Sequence, residues 1–572
     1  MIYLRPYFLI FIVQIFLFIT IKSNAFSKDI NKIYNSEKVS DYFSGLISLN
    51  DNDYENSFKF LRQLEGLEKD HGSYSKAYLY SLINLQRVNE AVKFSKKLEK
   101  KEMNNFESDL VIGVYNLKNK DYKIATQYFS NLRSIKTNTP LQNYLAELLF
   151  SWSSIHQLDY FEAQKIFEKG NSKFNNINKI QKAFLNCYYT TSKTNDAFDN
   201  LLNEQTTDFS RYYFFYANYL FNQKKINEAK KIIDLSLMKN PENLLIKQFK
   251  KDIRLNTTQN FKNKFNCKNL SHITSEIFYI IANALSSRSL IYESNFYLSF
   301  AIFLNSNFIS FETLQAENFY LSKNFEKAKN IYIKLSSYGS EYKWYSSKQI
   351  GIILNEQDKN DKALNFVKKA YESFKFPDEY KTFDYALFLK NNQKYKEGIK
   401  YYSKVLNMID KKHDLYSRST DGRGICYERV GDWDKAEKDF LNSLKSKPNQ
   451  AYVLNYLAYS WIERDLKIDE SLKMLEKANN LRQNNGYIID SLGWAYFKLK
   501  KFEVAKKYLQ IAVTLMPRDP VVNDHYGDSL WMIGEKIQAR YYWSNVLKFD
   551  DTENDLKDRI NKKLINGLKT HL

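Results

Sequence analysis

The sequence predicts an all-α protein: a right-handed α-α superhelix of about thirteen helix-turn-helix units, closed by a C-terminal capping helix. Three observations favour this fold class. A pattern of small and large residues recurs about every 34 or 35 residues along most of the 572-residue chain. Only 16 Gly and 7 Pro occur, too few for the many tight turns of a β-sandwich or β-barrel. Hydrophobic residues make up 44% of the chain, enough to bury a core along most of its length.

The first segment, residues 1–25, has the features of a secretory signal peptide. Arg5 supplies a positive charge, residues 8–21 form a nearly unbroken apolar run, and Ser23 and Ala25 place small side chains where a signal peptidase cleaves. As a helix the run spans about 21 Å, less than the ~30 Å hydrocarbon core of a bilayer. We therefore expect cleavage after Ala25 and a periplasmic location. The alternative is an uncleaved segment that anchors the chain in the inner membrane.

Residues 26–240 are expected to form an N-terminal array of degenerate repeats. Pairs of small residues twelve positions apart mark its clearest units: Gly45 and Ser57, Gly113 and Ala125, Ala217 and Ala229. Residues 241–270 are rich in Asn, Lys and Thr and fit no unit well. They are the expected seam between this array and a second one.

Residues 271–551 form the second predicted array, and its last units are the most regular. Gly493 is followed by Tyr496, Ala505, Leu509 and Pro517, and three other units have a small residue at the place of Gly493, namely Gly424, Ala458 and Gly527. Two antiparallel helices pack closely where one presents a small residue and the other a large one. Proline then ends the second helix because it has no amide proton to donate.

Residues 552–572 are expected to form the capping helix. Leu556, Ile560, Leu564 and Leu568 recur at every fourth position, which places them on one face of a helix. A terminal helix with one apolar face covers the last repeat of a solenoid, which would otherwise expose its core.

This spacing resembles the tetratricopeptide repeat, and residues 455–543 are similar to the tail of exported proteobacterial proteins that contain it. The resemblance implies that the first helix of each unit lines a concave groove, with its positions 2, 5, 9 and 12 facing inward. It also implies protein partners, bound as extended or helical segments, and a role in the cell envelope.

Counting Gly493 as position 8 gives the predicted partner-binding residues: Tyr452, Asn455, Tyr459, Tyr487, Asp490, Trp494, Asp524, Asp528 and Trp531. Aromatic rings beside polar groups are typical of peptide recognition. Asn455, Asp490 and Asp524 are expected to form a ladder that meets a basic or amide-rich segment. The alternatives are structural: the rings pack between repeats, and the acids cap helices or hold a neighbouring Lys.

No catalytic, cofactor or metal site is predicted, so we expect a protein that is not an enzyme. The six His are too far apart in the sequence to form a metal pair on one helix turn, and no G-x-S-x-G or phosphate-binding glycine loop occurs. Cys187, Cys267 and Cys426 are odd in number and form no C-x-x-C pair, so we expect buried apolar cysteines without a disulfide.

The formal charge of +20 does not indicate a nucleic-acid partner, because Lys is mixed with Asp and Glu along the chain instead of forming a basic stripe. The sequence therefore favours a non-enzymatic protein–protein interaction scaffold of the bacterial cell envelope, with peripheral envelope association compatible with it. The alternative function is a periplasmic protein that binds or processes peptidoglycan or another polysaccharide, since aromatic rings and carboxylates also suit sugars.

Overall fold

The computed structural model describes residues 36–69, 71–136, 138–168, 174–204, 207–255 and 263–568. Within these ranges the chain consists of α-helices joined by short turns, with two 3₁₀ segments and an isolated β-bridge between Asn263 and Phe308. The prediction of an all-α repeat fold is confirmed. The expected signal peptide lies outside the described residues. None of the helices described is both long enough and apolar enough to cross a membrane.

Two compact units, residues 1–358 and 359–572, make up the chain. The described part of the first unit holds these helices: α1 Ser36–Asn50, α2 Tyr54–Arg62, α3 Gly72–Asn84, α4 Val88–Glu99, α5 Phe106–Lys118, α6 Tyr122–Ser134, α7 Pro140–Ser154, α8 Tyr160–Glu168, α9 Asn175–Tyr189, α10 Thr194–Leu202, α11 Tyr212–Asn222, α12 Ile226–Lys239, α13 Leu244–Arg254, α14 Leu270–Ser286, α15 Ile291–Leu304, α16 Ser310–Leu321, α17 Phe325–Ser336 and α18 Ser340–Glu356.

The described part of the second unit continues the helical pattern with these helices: α19 Asn360–Glu372, α20 Glu379–Asn391, α21 Tyr395–Met408, α22 Asp414–Arg429, α23 Trp433–Ser446, α24 Ala451–Glu463, α25 Ile468–Leu481, α26 Gly486–Lys498, α27 Phe502–Leu515, α28 Pro520–Met532, α29 Lys536–Val546 and α30 Asn554–Asn566. In this unit α20, α22, α24, α26 and α28 are the first, or A, helices of successive pairs. Each packs against the B helix that follows it.

The small residues of the repeat lie where an A helix approaches its B helix. A Cβ atom on Gly493 would lie 2.6 Å from Leu509 Cγ, and one on Gly527 would lie 2.5 Å from Trp543 Nε1. Carbon atoms in ordinary contact stay about 3.5–4.0 Å apart. A side chain at either glycine would therefore clash with the large B-helix side chain opposite unless that side chain shifted, which accounts for the recurring small residues at this place.

The first unit folds back onto its own A helices. Helices α14 and α15 pack against α3, α5 and α7. Tyr80 on α3 stacks on Phe296 of α15 with ring centroids 3.9 Å apart, and Asn295 donates a hydrogen bond of 2.7 Å to the Tyr54 hydroxyl. Helix α15 is apolar on nearly all sides, as expected for a helix surrounded by protein. The chain itself thus covers the A-helix face of these early repeats.

The described residues of the predicted seam, 241–255 and 263–270, belong to the first unit, and residues 256–262 lie outside the described ranges. The seam contains α13, whose Phe249 packs on Phe214 of α11 with ring centroids 5.1 Å apart. Phe265 belongs to the same hydrophobic core. The two compact units divide between Asp358 and Lys359, and the array bounds 26–240 and 271–551 stay predictions.

The expectation that the cysteines form no disulfide is wrong. Cys187 on α9 is bonded to Cys267, just before α14, with Cα atoms 5.9 Å apart. The two residues are 80 positions apart in the sequence, and the fold brings them together because α14 packs back onto earlier helices. Cys426 is free and buried, as expected of a small apolar residue.

The final helix, α30, takes the place of an A helix after the last complete pair. It begins one repeat length after the start of α28, so it continues the repeat in register. Leu556 and Ile560 are buried in the same hydrophobic cluster as Trp543 and Val546 of α29. The helix thereby covers the last pair, as predicted for a cap.

Candidate partner-binding groove

Equivalent residues on the A helices of the second unit form columns. Position 5 is occupied by Asp421, Asn455, Asp490 and Asp524 on α22, α24, α26 and α28, and we call these four residues the position-5 ladder. The ring of Tyr459 on α24 lies 6.4 Å from that of His525 on α28, two A helices further along. Side chains of the A helices therefore converge on the inner face of the stack.

Asp490 is buried and paired with His525 of the next A helix. The imidazole Nδ1 lies 3.0 Å from Asp490 Oδ2, and the ring stacks on Trp494 with centroids 4.0 Å apart. Burial opposes the charged imidazolium, but Asp490, Asp524 and Asp528 together outweigh that effect and raise the pKa of His525. The raised pKa of His525 favours the imidazolium form, whose charge offsets the acids around it.

Asp524 and Asp528 are also buried, and Lys563 of α30 pairs with both. The Lys563 Nζ atom lies 2.5 Å from Asp524 Oδ1 and 2.8 Å from Asp528 Oδ1. The indole N–H of Trp543 donates a further hydrogen bond of 3.0 Å to Asp528. Burial and the neighbouring Asp524 raise the pKa of Asp528 to about 7, although Lys563 opposes the shift.

The three acids predicted to bind a partner are thus not exposed along the inner face. Asp490, Asp524 and Asp528 are 3–6% exposed, and each pairs with a basic residue of the next A helix or of α30, which takes the place of one. These ion pairs agree with the structural alternative, in which each acid binds a basic residue of a neighbouring helix. A carboxylate buried between helices requires such a partner, because its desolvation is otherwise too costly.

The predicted rings Tyr459, Trp494 and Trp531 are half-buried; Tyr459 and Trp494 lie against His525 of a later repeat, and Trp531 packs within its own helix pair. Trp494 stacks on Phe497 as well as on His525, and its indole N–H donates to Glu463 of α24 at 2.7 Å. Trp531 lies against Trp543 with ring centroids 5.3 Å apart. These rings stabilise the stack, and their open edges contribute only part of the inner surface.

Tyr452 and Tyr487 differ from the other predicted residues because they are open to solvent. They occupy position 2 of α24 and α26, with 55% and 60% of their surfaces exposed, and Val521 on α28 continues the column at 42%. We call these three residues the position-2 edge. The Arg482 guanidinium lies 5.2 Å from the centre of the Tyr452 ring, so the edge combines aromatic surface with a cation.

Asp421 and Asn455 form the first half of the ladder. Unlike Asp490 and Asp524 in the second half, they are not paired with a basic residue. Within the described residues no hydrogen bond or ion pair reaches the half-buried carboxylate of Asp421. Burial raises its pKa to about 6, with Lys390 opposing. The Oδ1 atom of Asn455 is buried and has no hydrogen-bond donor. Sequence reasoning included Asn455 but missed Asp421, although the register of the repeat alone places it on the ladder.

The inner face also lacks the grouping that a metal centre needs, as far as the structure describes it. No cluster of three or more His, Cys, Asp or Glu side chains that could hold a metal ion occurs in the described ranges. The inner face instead combines the exposed rings of Tyr452 and Tyr487 with the unpaired carboxylate of Asp421 and the unpaired amide oxygen of Asn455. Such a combination is suited to binding a polypeptide.

Residues 489–519 match the family model described as the tetratricopeptide repeat. A curated relative, the TPR repeat-containing protein PA4667 of Pseudomonas aeruginosa, is 31% identical over 136 residues, which is 24% of this chain and 21% of the relative. The chain therefore matches about a fifth of the length of that relative.

Solved structures with a similar helical repeat cover about a third of the chain. MamA of Desulfovibrio magneticus is 17% identical with a TM-score of 0.27, covering 31% of this chain and 98% of its own. The pilF protein of Pseudomonas aeruginosa is 18% identical with a TM-score of 0.28, covering 33% and 85%. The TPR protein TTC0263 of Thermus thermophilus is 15% identical with a TM-score of 0.28, covering 33% and 100%.

Proposed function

We propose that this chain, a tetratricopeptide-repeat protein, is a non-enzymatic scaffold of the bacterial cell envelope that holds a segment of a partner protein against the A helices of its second unit. The position-2 edge is the observation that carries this proposal. Tyr452 and Tyr487 are large aromatic residues on successive A helices. More than half of the surface of each residue is exposed to water instead of being packed in the core. Large exposed rings beside cations are frequent energetic centres of protein interfaces.

The second unit is the better candidate for binding because the first unit covers its own early A helices. Tyr80 of α3 stacks on Phe296 of α15, and both rings are buried. Their contact covers the surface of α3 that would otherwise receive a partner. A partner at this place would have to displace a helix that is apolar on nearly all sides. The A helices of the second unit keep an exposed edge at Tyr452, Tyr487 and Val521.

The disulfide between Cys187 and Cys267 supports a location outside the cytoplasm. Disulfides persist in oxidising compartments such as the periplasm and are rare where glutathione and thioredoxin keep thiols reduced. Together with the expected signal peptide, this favours export to the periplasm. The uncleaved, membrane-anchored form would place the same repeats on the same side of the membrane.

The experiment that tests the proposal places a photo-crosslinking amino acid at Tyr487 in the exported protein and irradiates living cells. We expect covalent adducts with protein. Tyr541 is the matched control, because it is equally exposed but lies on the B helix α29. Adducts at position 541 should be at least tenfold fewer.

Equal adduct yields at the two positions would overturn the proposal. Absence of protein adducts at position 487, combined with sedimentation of the purified protein with isolated peptidoglycan, would favour the polysaccharide-binding alternative.

A further inference from the structure

The chain itself shows how the position-5 ladder receives a cation. His525, at position 6 of α28, pairs with Asp490 on the preceding A helix. Lys563, at position 10 of α30, pairs with Asp524 on the preceding A helix. In both cases a side-chain nitrogen from the next A-type helix pairs with the ladder acid, where the buried carboxylate is shielded from water.

The first two residues of the ladder receive no such cation. After Asp421 positions 6 and 10 of the next A helix hold Tyr456 and Ser460, and after Asn455 they hold Ser491 and Ala495. None of these four side chains carries a charge at neutral pH. Lys390 lies near enough to Asp421 to oppose its pKa shift but makes no hydrogen bond to it within the described residues.

These unsatisfied acceptors lie beside the exposed edge. Tyr452 is three positions before Asn455 on α24, one helical turn away. Asp421 and Asn455 are each half-buried, so part of each side chain meets solvent. The Asn455 Oδ1 atom itself is buried, so the amide has to rotate before this acceptor can meet a donor from outside.

We propose that Asp421 and Asn455 form a subsite for a Lys or Arg side chain of the partner segment, which donates its N–H groups to both residues. The inference rests on the proposed function and names the chemistry that the groove selects. The incoming cation takes the role that His525 and Lys563 have at the later ladder positions. Tyr452 and Tyr487 then contact the apolar part of the same segment.

The test is selection of peptides from a phage-displayed library of random sequences on the full, purified chain. We expect the wild-type protein to enrich peptides with Lys or Arg at one fixed position at least tenfold over the unselected library. Asp421→Asn should remove this enrichment while the aromatic and apolar preferences of the selected peptides remain. Asp469→Asn, which changes an exposed acid on the B helix α25, is the charge-matched control and should retain it.

The outcomes separate this inference from the proposed function. Peptides selected through Tyr452 and Tyr487, but with no position enriched in Lys or Arg, would overturn the cation subsite and leave groove binding intact. The subsite is equally overturned if Asp421→Asn keeps the enrichment. If the wild type and a Tyr452→Ser, Tyr487→Ser double variant select the same peptides, both the subsite and the proposed function fail.

Discussion

His525 and Asp490 form a buried ion pair between successive A helices, with imidazole Nδ1 and carboxylate Oδ2 3.0 Å apart. The other groups that face the imidazole are Asp524 and Asp528 on its own helix, while Tyr459 approaches from α24. Within the described residues the pair therefore links neighbouring repeats through charge as well as through apolar contact.

The first prediction concerns the pH dependence of stability. The pKa of His525 is raised in the folded state, so its contribution is fully present below the unfolded pKa of about 6.5 and is lost as pH rises through the folded pKa. Asp528, with its pKa raised to about 7, also holds a proton more tightly when folded. Protection of α26 and α28 against hydrogen exchange should therefore fall as pH rises from about 4 to about 7, where Asp528 loses its proton, and further above about 6.5, where His525 loses its proton.

His525→Gln should flatten this pH dependence, whereas His71→Gln, in the first unit, should leave it unchanged. If the His525→Gln protein keeps the wild-type pH profile, the pair of His525 and Asp490 contributes nothing to the pH dependence of stability.

The second prediction concerns the attachment of the final helix. Lys563→Met leaves two carboxylates without their cation in a buried place, and breaking such a pair costs about 3–5 kcal/mol. Because repeat stability is a sum of neighbour interactions, α30 and then α28 should lose protection first in hydrogen exchange. The triple variant that adds Asp524→Asn and Asp528→Asn to Lys563→Met should recover much of the lost stability, because no unpaired buried charge remains. Uniform loss of protection from α20 to α30 would contradict this.

The third prediction separates architecture from binding. The double variant Asp490→Asn, Asp524→Asn removes buried, paired charges and should lower the melting temperature by several degrees. The double variant Tyr452→Ser, Tyr487→Ser changes exposed residues, and its stability should remain within about 0.5 kcal/mol of wild type. Only the tyrosine variant should lose peptide selection while keeping its melting temperature. The reverse assignment of the two effects would refute the distinction.

The fourth prediction concerns the disulfide. Alkylation of the unfolded, unreduced protein should modify one thiol, that of Cys426, and reduction should expose two more. Closing a loop of 80 residues is worth about 4.5 kcal/mol in the chain-entropy model, so reduction should destabilise the first unit by an amount of that order. Hydrogen exchange on α24 to α28 provides the internal control. Three alkylated thiols before reduction would exclude the bond.

The fifth prediction concerns export. N-terminal sequencing of the protein recovered from the periplasm should begin at Phe26, after cleavage that follows Ala25. Recovery of a form that begins at Met1 from the inner-membrane fraction would establish the anchored alternative.

The fold could be predicted from the sequence because the repeat is a local property. Gly493 and Leu509 lie on the two helices of one hairpin, and the requirement that one be small and the other large holds within that single pair. The same is true of the cap, since the spacing of Leu556 and Ile560 defines one face of α30. Contacts of this short range repeat in every unit, so they leave a visible period in the sequence.

The candidate site was predicted only in part. The register correctly places Tyr452 and Tyr487 on neighbouring A helices, and the structure shows them to be exposed. The register could not reveal that Asp490 and Asp524 are buried, because their exposure depends on the helix that stacks next to them. His525 and Lys563 were missed as their partners for the same reason: they lie 35 and 39 residues away in the sequence.

The sequence by itself determined the helical repeat, its period, the capping helix and the columns along the A helices. The tertiary structure alone decided which columns are open, which acids are paired, that Cys187 meets Cys267, and that α14 and α15 cover the A helices of the first unit. The physical reason is range. Pairing within one helix hairpin depends on residues that lie within a single repeat, whereas burial, charge pairing between repeats and disulfide formation depend on how complete hairpins stack.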